Sequence, residues 1–258
     1  MPGAEVVAFL ALASGLAGFI DAVAGGGGLI LLPALLLGFP ASTPITTLLG
    51  TNKFAAFTGT SAATWQFVKA DLVGWRELAG PVVAAMAGSA VGARMAYGID
   101  PSILKPAMVV LLVGMLVFTL LRPGHGRVHA PRFAAKTGMV LSVAIALCLG
   151  FYDGIFGPGT GSLLIFLNVS ILGYDFLRSS ALAKAANWGS NLAALVVFMW
   201  HGSWMPGLAV MLAVSNLLGG MAGARFAIGQ GSAWVRRVFV GVVALLLVRL
   251  AWQVLSGT

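Results

Sequence analysis

Four charged side chains interrupt apolar stretches of this chain, and they come as two matched sets. Asp21 ends Gly18-Phe19-Ile20-Asp21 and is followed by Ala22-Val23-Ala24-Gly25-Gly26-Gly27-Gly28. Asp153 ends Gly150-Phe151-Tyr152-Asp153 and is followed by Gly154-Ile155-Phe156-Gly157-Pro158-Gly159-Thr160-Gly161. Lys53 follows Gly50-Thr51-Asn52, and Lys184 precedes Ala185-Ala186-Asn187 and then Ser190-Asn191. A carboxylate in hydrocarbon costs roughly 2.5–3.5 kcal/mol on insertion scales, so it tends to be paired or functional. The functional role open to Asp21 and Asp153 is proton coupling. The structural alternatives are capping a broken helix or pairing with Lys53 or Lys184. Each lysine is expected to head a helix rich in Ala, Thr, Ser and Phe. There it can cradle an anion among Asn and Ser donors, or it can snorkel to an interface.

The glycines beside the aspartates add a second kind of chemistry. Glycine costs a helix about 1 kcal/mol per residue and proline about 3, so neither run propagates a helix well. At membrane depth, irregular backbone survives only where protein or a water-filled cavity surrounds it. A break frees N–H groups at the start of the next helix, and such N-termini attract anions. The structural alternative is close helix packing. The candidate substrate-binding set is therefore Gly26, Gly27, Thr51, Asn52, Lys53, Gly159, Lys184, Asn187 and Asn191. Thr58, Thr60 and Ser190 are further polar lining, or interhelical hydrogen-bond glue.

These residues need elements to hold them, and composition says what kind. The chain is 59% hydrophobic and 9% charged, with a mean hydropathy of +0.99. A soluble domain carries roughly a quarter of its residues as charges, so lipid has to be the solvent here. Spans of about 20 residues cross a hydrocarbon layer of about 30 Å. The apolar runs are 6–20, 78–98, 102–121, 138–152, 185–200, 205–222 and 238–255. Pieces at 29–39 and 162–172 are too short to span. Unbroken apolar runs without barrel-type alternation predict helices. The fold class expected is an all-α polytopic membrane protein.

The matched sets extend along the chain. At offset 131, Lys53 answers to Lys184, Gly88 to Gly219, Gly92-Ala93-Arg94 to Gly223-Ala224-Arg225, and Lys105 to Arg236. The aspartates match at offset 132. This predicts two homologous repeats, 1–121 and 137–258, joined by a basic linker at 122–136. Arg122, Arg127, Arg132 and Lys136 mark that linker as cytoplasmic, because short loops rich in Lys and Arg stay inside. An inverted arrangement puts ten basic residues inside and three outside, against seven and six for a parallel one. Inversion requires an odd number of crossings per repeat, hence a broken or re-entrant element near each glycine run. Inverted repeats with discontinuous helices are a common way to build a midplane site in secondary transporters.

Other signals point away from catalysis. There is no GxSxG, HExxH or nucleotide loop, and no Gly-Lys pair, so no cofactor is expected. Cys148 is expected as a small buried apolar side chain. His125 and His129 lack a third ligand, so no metal is expected. His201, beside Trp200 and Trp204, reads as part of an interface belt. Arg94 and Arg225 each close a Gly-x-x-x-Gly-Ala-Arg sequence and read as interfacial anchors. The net charge of +8 fits basic loops, with no nucleic-acid motif beside it. Met1-Pro2-Gly3-Ala4-Glu5 has no basic n-region, so no cleavable signal peptide is expected.

Taken together, Gly18 to Ile30, Pro33 and Gly50-Thr51-Asn52-Lys53 resemble the TauE/SafE sulfite exporter family. Gly157-Pro158-Gly159-Thr160-Gly161, Ala183-Lys184-Ala185-Ala186-Asn187 and Ser190-Asn191 carry the resemblance into the second half. It implies a multi-pass transporter of the bacterial inner membrane that moves small sulfur oxyanions or organosulfonates outward; inverted repeats around a midplane site add the expectation that this transporter works by alternating access. Its partners would be the lipid bilayer, the anion and protons as coupling ion, and small-residue faces would suit a homodimer. The rival expectations are a carboxylate or cation as cargo, or a membrane assembly subunit without transport.

Overall fold

The computed structural model describes residues 3–40, 42–98 and 128–256. Every regular element among them is helical. Helix α1 (Ala4–Ala24) ends where Gly25 turns into the left-handed region at φ 78°, its N–H donating to Asp21 O. A residue with a Cβ adopts that conformation poorly, so the glycine run stops α1 just below Asp21. Helix α2 (Gly28–Gly38) restarts the chain for 11 residues. That is about 16 Å of rise, half a hydrocarbon thickness. Helix α3 (Ile45–Lys69) follows Pro44, and α4 (Trp75–Met95) completes the described first half.

The second half runs in the same order. Helix α5 (Ala135–Ile155) carries Asp153 in its last turn. Helix α6 (Thr160–Leu167) passes into a π-helical turn, Asn168–Leu172, closed by Gly173 at φ 80°. Helix α7 (Phe176–Trp200) is capped by Asp175, whose carboxylate accepts the Arg178 N–H. Helix α8 (Pro206–Ser256) breaks at Gly231.

Among the described residues, four segments are long and apolar enough to cross a membrane: Ala4–Ala24, Trp75–Met95, Ala135–Ile155 and Pro206–Val242. They take in most of the runs predicted at 6–20, 78–98, 138–152 and 205–222. The run at 102–121 lies outside the described residues. The run at 185–200 covers only part of α7, and no predicted span falls on α3. Both α3 and α7 are 25 residues long, about 37 Å of rise. Their Thr, Ser, Asn and Lys content hides them from a hydropathy window. They tolerate those residues because other helices cover them, α7 having 18 buried positions.

Glycines set how close the covering helices come. Helix α1 packs on α8 and α4 packs on α5. A Cβ on Gly219 would stand 1.9 Å from Gly15 O, and one on Gly88 would stand 2.2 Å from Leu147 O. The backbones are in contact there, as small-xxx-small faces permit. Residues 4–24 of the first half therefore pack on the second half, and residues 135–155 of the second pack on the first. Cys148 is exposed on the outer side of α5, which overturns the expectation that it is buried. Arg94 and Arg225 are exposed as well.

Candidate functional site

The two glycine breaks meet each other. Ser162 of α6 donates its N–H to Gly25 O at 2.9 Å and its hydroxyl to Ala24 O at 2.8 Å. A Cβ on Gly25 would lie 2.2 Å from the carbonyl carbon of Gly161. Two of the donors freed by the breaks are thereby used: the Ser162 N–H goes to Gly25 O, and the Gly27 N–H goes to Asp21 Oδ1 at 3.1 Å.

The four charged residues pair across the halves. Lys53 Nζ lies 2.7 Å from Asp153 Oδ2, and Lys184 Nζ lies 2.7 Å from Asp21 Oδ2. Neither lysine heads its helix. Each is the ninth residue of its own, α3 or α7, and only 1% and 0% of Lys53 and Lys184 are exposed. That corrects the expectation that they head their helices, and it rules out snorkelling. A buried ammonium needs a counter-charge, and here each finds it in the opposite half. Ser190 Oγ donates to Asp153 Oδ2 at 2.6 Å, and Ser180 Oγ donates to Val23 O at 3.0 Å.

A cavity of about 20 Å³ lies among these groups, room for about one water molecule. Of the sequence-predicted residues, Asp21, Gly27, Asn52, Lys53, Asp153, Gly159, Asn187 and Asn191 line it. Lys184 reaches it through its contact with Asp21. Thr51 and Gly26 do not line it. The Thr51 hydroxyl donates to Thr47 O and accepts the Met205 N–H, which ties α3 to the start of α8. Gly26 accepts the Leu29 N–H behind the wall. Thr58 bonds to Ala55 O of its own helix and to Ala213 O of α8, which is the interhelical glue reading, whereas Thr60 bonds only to Ala56 O and Phe57 O of its own helix.

Sequence reasoning missed Asn216, which lines the cavity from α8. Its Nδ2 donates to Ser14 O at 2.9 Å and approaches Ser14 Oγ at 3.2 Å. The available signal was a lone amide inside the apolar run 205–222. Its position in the first half, 131 residues earlier, is Ala85, so the matched-set logic passed over it.

Comparison with known proteins adds to this geometry. Residues 10–250 match the model of the family described as Sulfite exporter TauE/SafE. The chain belongs to the TauE/SafE sulfite exporter family. A "Probable membrane transporter protein ORF9" of Sinorhizobium is 33% identical over 246 residues, covering 95% of this chain and 92% of that one. A "Probable membrane transporter protein" of Haemophilus influenzae is 34% identical, covering 92% and 91%. The "Probable membrane transporter protein YfcA" of Escherichia coli K12 is 30% identical, covering 92% and 87%. No solved structure matches. As a TauE/SafE member the chain is a membrane transporter.

A second polar cluster of this TauE/SafE protein lies at the linker end. Arg178 makes a two-pronged pair with Glu77 at 2.7 and 2.8 Å and also donates to Leu72 O. Asp175 accepts from Ser232 and lies 3.6 Å from His129. His129 stacks on Tyr174, and burial beside Glu77 pushes the Tyr174 phenol up, with Arg178 opposing. Among the described residues no three His, Cys, Asp or Glu side chains converge as metal ligands would. His201 rests on Val197 O and the Tyr97 ring.

Proposed function

We propose that the chain is a secondary transporter of small anions, sulfur oxyanions or organosulfonates, moving them out across the bacterial inner membrane by alternating access. The observation that carries this reading is the crossed pairing of Lys53 with Asp153 and Lys184 with Asp21 around a cavity at two helix breaks. A buried ion pair is weak evidence for stability alone, since its desolvation offsets its attraction. Two of them at one cavity supply what a transporter of anions needs: ammonium groups that a substrate can engage, and carboxylates that can take a proton when displaced.

The two halves would be inverted repeats with the linker cytoplasmic. The contacts recur in support: Gly88 meets Leu147 as Gly219 meets Gly15, and Gly92 meets Phe151 as Gly223 meets Phe19. Rocking one half on the other would break one set of seams while keeping the site. Sulfur oxyanions are the cargo that the family name suggests. They exceed a cavity of about 20 Å³, so loading would require this cavity to open.

The test is sulfite and sulfonate efflux from proteoliposomes under an imposed pH gradient. Wild type should carry the anion. A Lys53→Gln/Asp153→Asn double variant, neutral at both ends and so free of an orphaned charge, should lose flux while running as a monodisperse folded protein. Undiminished flux in that variant would remove the pair from the mechanism. Flux of carboxylates but not sulfur anions would change the cargo.

A further inference from the structure

Among the described residues, Asn52 brings to the cavity wall an amide oxygen that no protein group meets. It is 4% exposed, it lines the cavity, and its Oδ1 is buried without a hydrogen-bond partner. Other lining amides are engaged: Asn187 Oδ1 with Asn191 Nδ2 at 3.4 Å, and Asn216 Nδ2 with Ser14. Buried polar groups are nearly always satisfied, so an unsatisfied one inside a site calls for a partner from outside the protein.

The charges at the cavity set a second condition. Two ammonium groups face two carboxylates at 2.7 Å in each pair. Asp21, Lys53 and Asp153 are the charged residues that line the cavity, and Lys184 completes the set at Asp21. The site is neutral as a whole. A dianion would bring a second negative charge toward two carboxylates with no further cation to meet it, in surroundings where like charges repel strongly. The local donors are also largely committed: the Asp153 carboxylate takes Lys53 and Ser190, and Asp21 takes Lys184 and the Gly27 N–H.

We infer that the ligand is a singly charged anion bearing its own hydrogen-bond donor, and that Asn52 reads that donor. This rests on the anion-transport reading above. The reading is one-sided. The position matching Asn52 in the second half is Ala183, a methyl group that can read nothing. Hydrogen sulfite has the required chemistry, as has a sulfonate with a hydroxyl or amino group close to the sulfur. Sulfite as the dianion, sulfate and simple alkanesulfonates lack one or both features.

The experiment measures initial uptake by the full-length protein in proteoliposomes at one pH, using hydroxymethanesulfonate, methanesulfonate and sulfate. The first two are monoanions that differ by a donor, and the third is a dianion without one. Wild type should prefer hydroxymethanesulfonate by about fivefold to tenfold, the size of one hydrogen bond to an otherwise unmet group. Sulfate should stay at background. In Asn52→Ala the preference should fall to about one, and Asn52→Ser, which keeps an acceptor, should restore part of it. A preference unchanged in Asn52→Ala would overturn the inference, whether the amide is met by water or serves only packing. Sulfate uptake at the monoanion rate would overturn it too. No uptake of any of the three by folded wild type would instead strike the anion reading, and this inference would go with it.

Discussion

The two ion pairs share a length of 2.7 Å and differ in their surroundings. The Lys53–Asp153 side chains are 2% and 3% exposed, whereas Asp21 in the other pair is 14% exposed beside a wholly buried Lys184. The sealed pair has Ser190 on its carboxylate, and Tyr152 bonds to Pro158 O over the break. The more open pair has only backbone there, the Gly27 N–H. Pro158 stiffens one break while four consecutive glycines leave the other pliable. A symmetric pairing scheme is thus held in two unlike environments.

The largest effect that can break this comparison comes from orphaning a charge. Asp153→Ala leaves Lys53 buried and unpaired, and should cost about 3–5 kcal/mol. Asp21→Ala orphans Lys184, which is just as buried, but vacates the more exposed carboxylate position, 14% against 3%, where water can reach the ammonium, and should cost less. Denaturant unfolding of the two variants in detergent decides it, and equal losses would mean the difference in exposure has no energetic content. Next come the breaks themselves. Gly25→Ala puts a methyl against Gly161 at a backbone angle that disfavours it, and should destabilise by about 2–4 kcal/mol. Gly28→Ala meets Pro158 Cα at 3.3 Å and should cost under about 1 kcal/mol. Thermal unfolding compares them directly.

A smaller effect sharpens the difference at α8. Asn216→Ala gives that position the residue its counterpart Ala85 already has, and loses the bond to Ser14. The expected cost is about 1 kcal/mol, with Ser14→Ala in a double-mutant cycle showing whether the two are coupled. The smallest is at the linker end. Arg178 and Glu77 are 30% and 27% exposed, so Glu77→Gln should cost only about 0.5–1 kcal/mol and fade with added salt.

How much of this could be read from the residues differs by kind. Apolar spans and glycine breaks were legible, because lipid solvation and backbone freedom act locally. Helix α3 was not, and of α7 only 185–200 was, since their polar residues are tolerated only once other helices cover them. The importance of Asp21, Asp153, Lys53 and Lys184 showed in their types alone. Their pairing did not. Each aspartate had a lysine available in its own half, and only the three-dimensional packing, in which the two glycine breaks meet, sends it to the other. Asn216 went unseen for lack of a matching residue, and Cys148 was misplaced because a small apolar neighbourhood says nothing about which way a helix faces.

The crossed pairs also bear on how the protein is made. Lys184 lies 163 residues after Asp21, and Asp153 lies 100 after Lys53. At a synthesis rate of about 5–20 residues per second, Asp21 waits roughly 8–33 s for its partner and Lys53 roughly 5–20 s. During that time a first half already threaded toward lipid carries one uncompensated charge of each sign. Those charges have to be sheltered by the insertion machinery or by each other, as a temporary Asp21–Lys53 couple, until the second half arrives and the partners are exchanged.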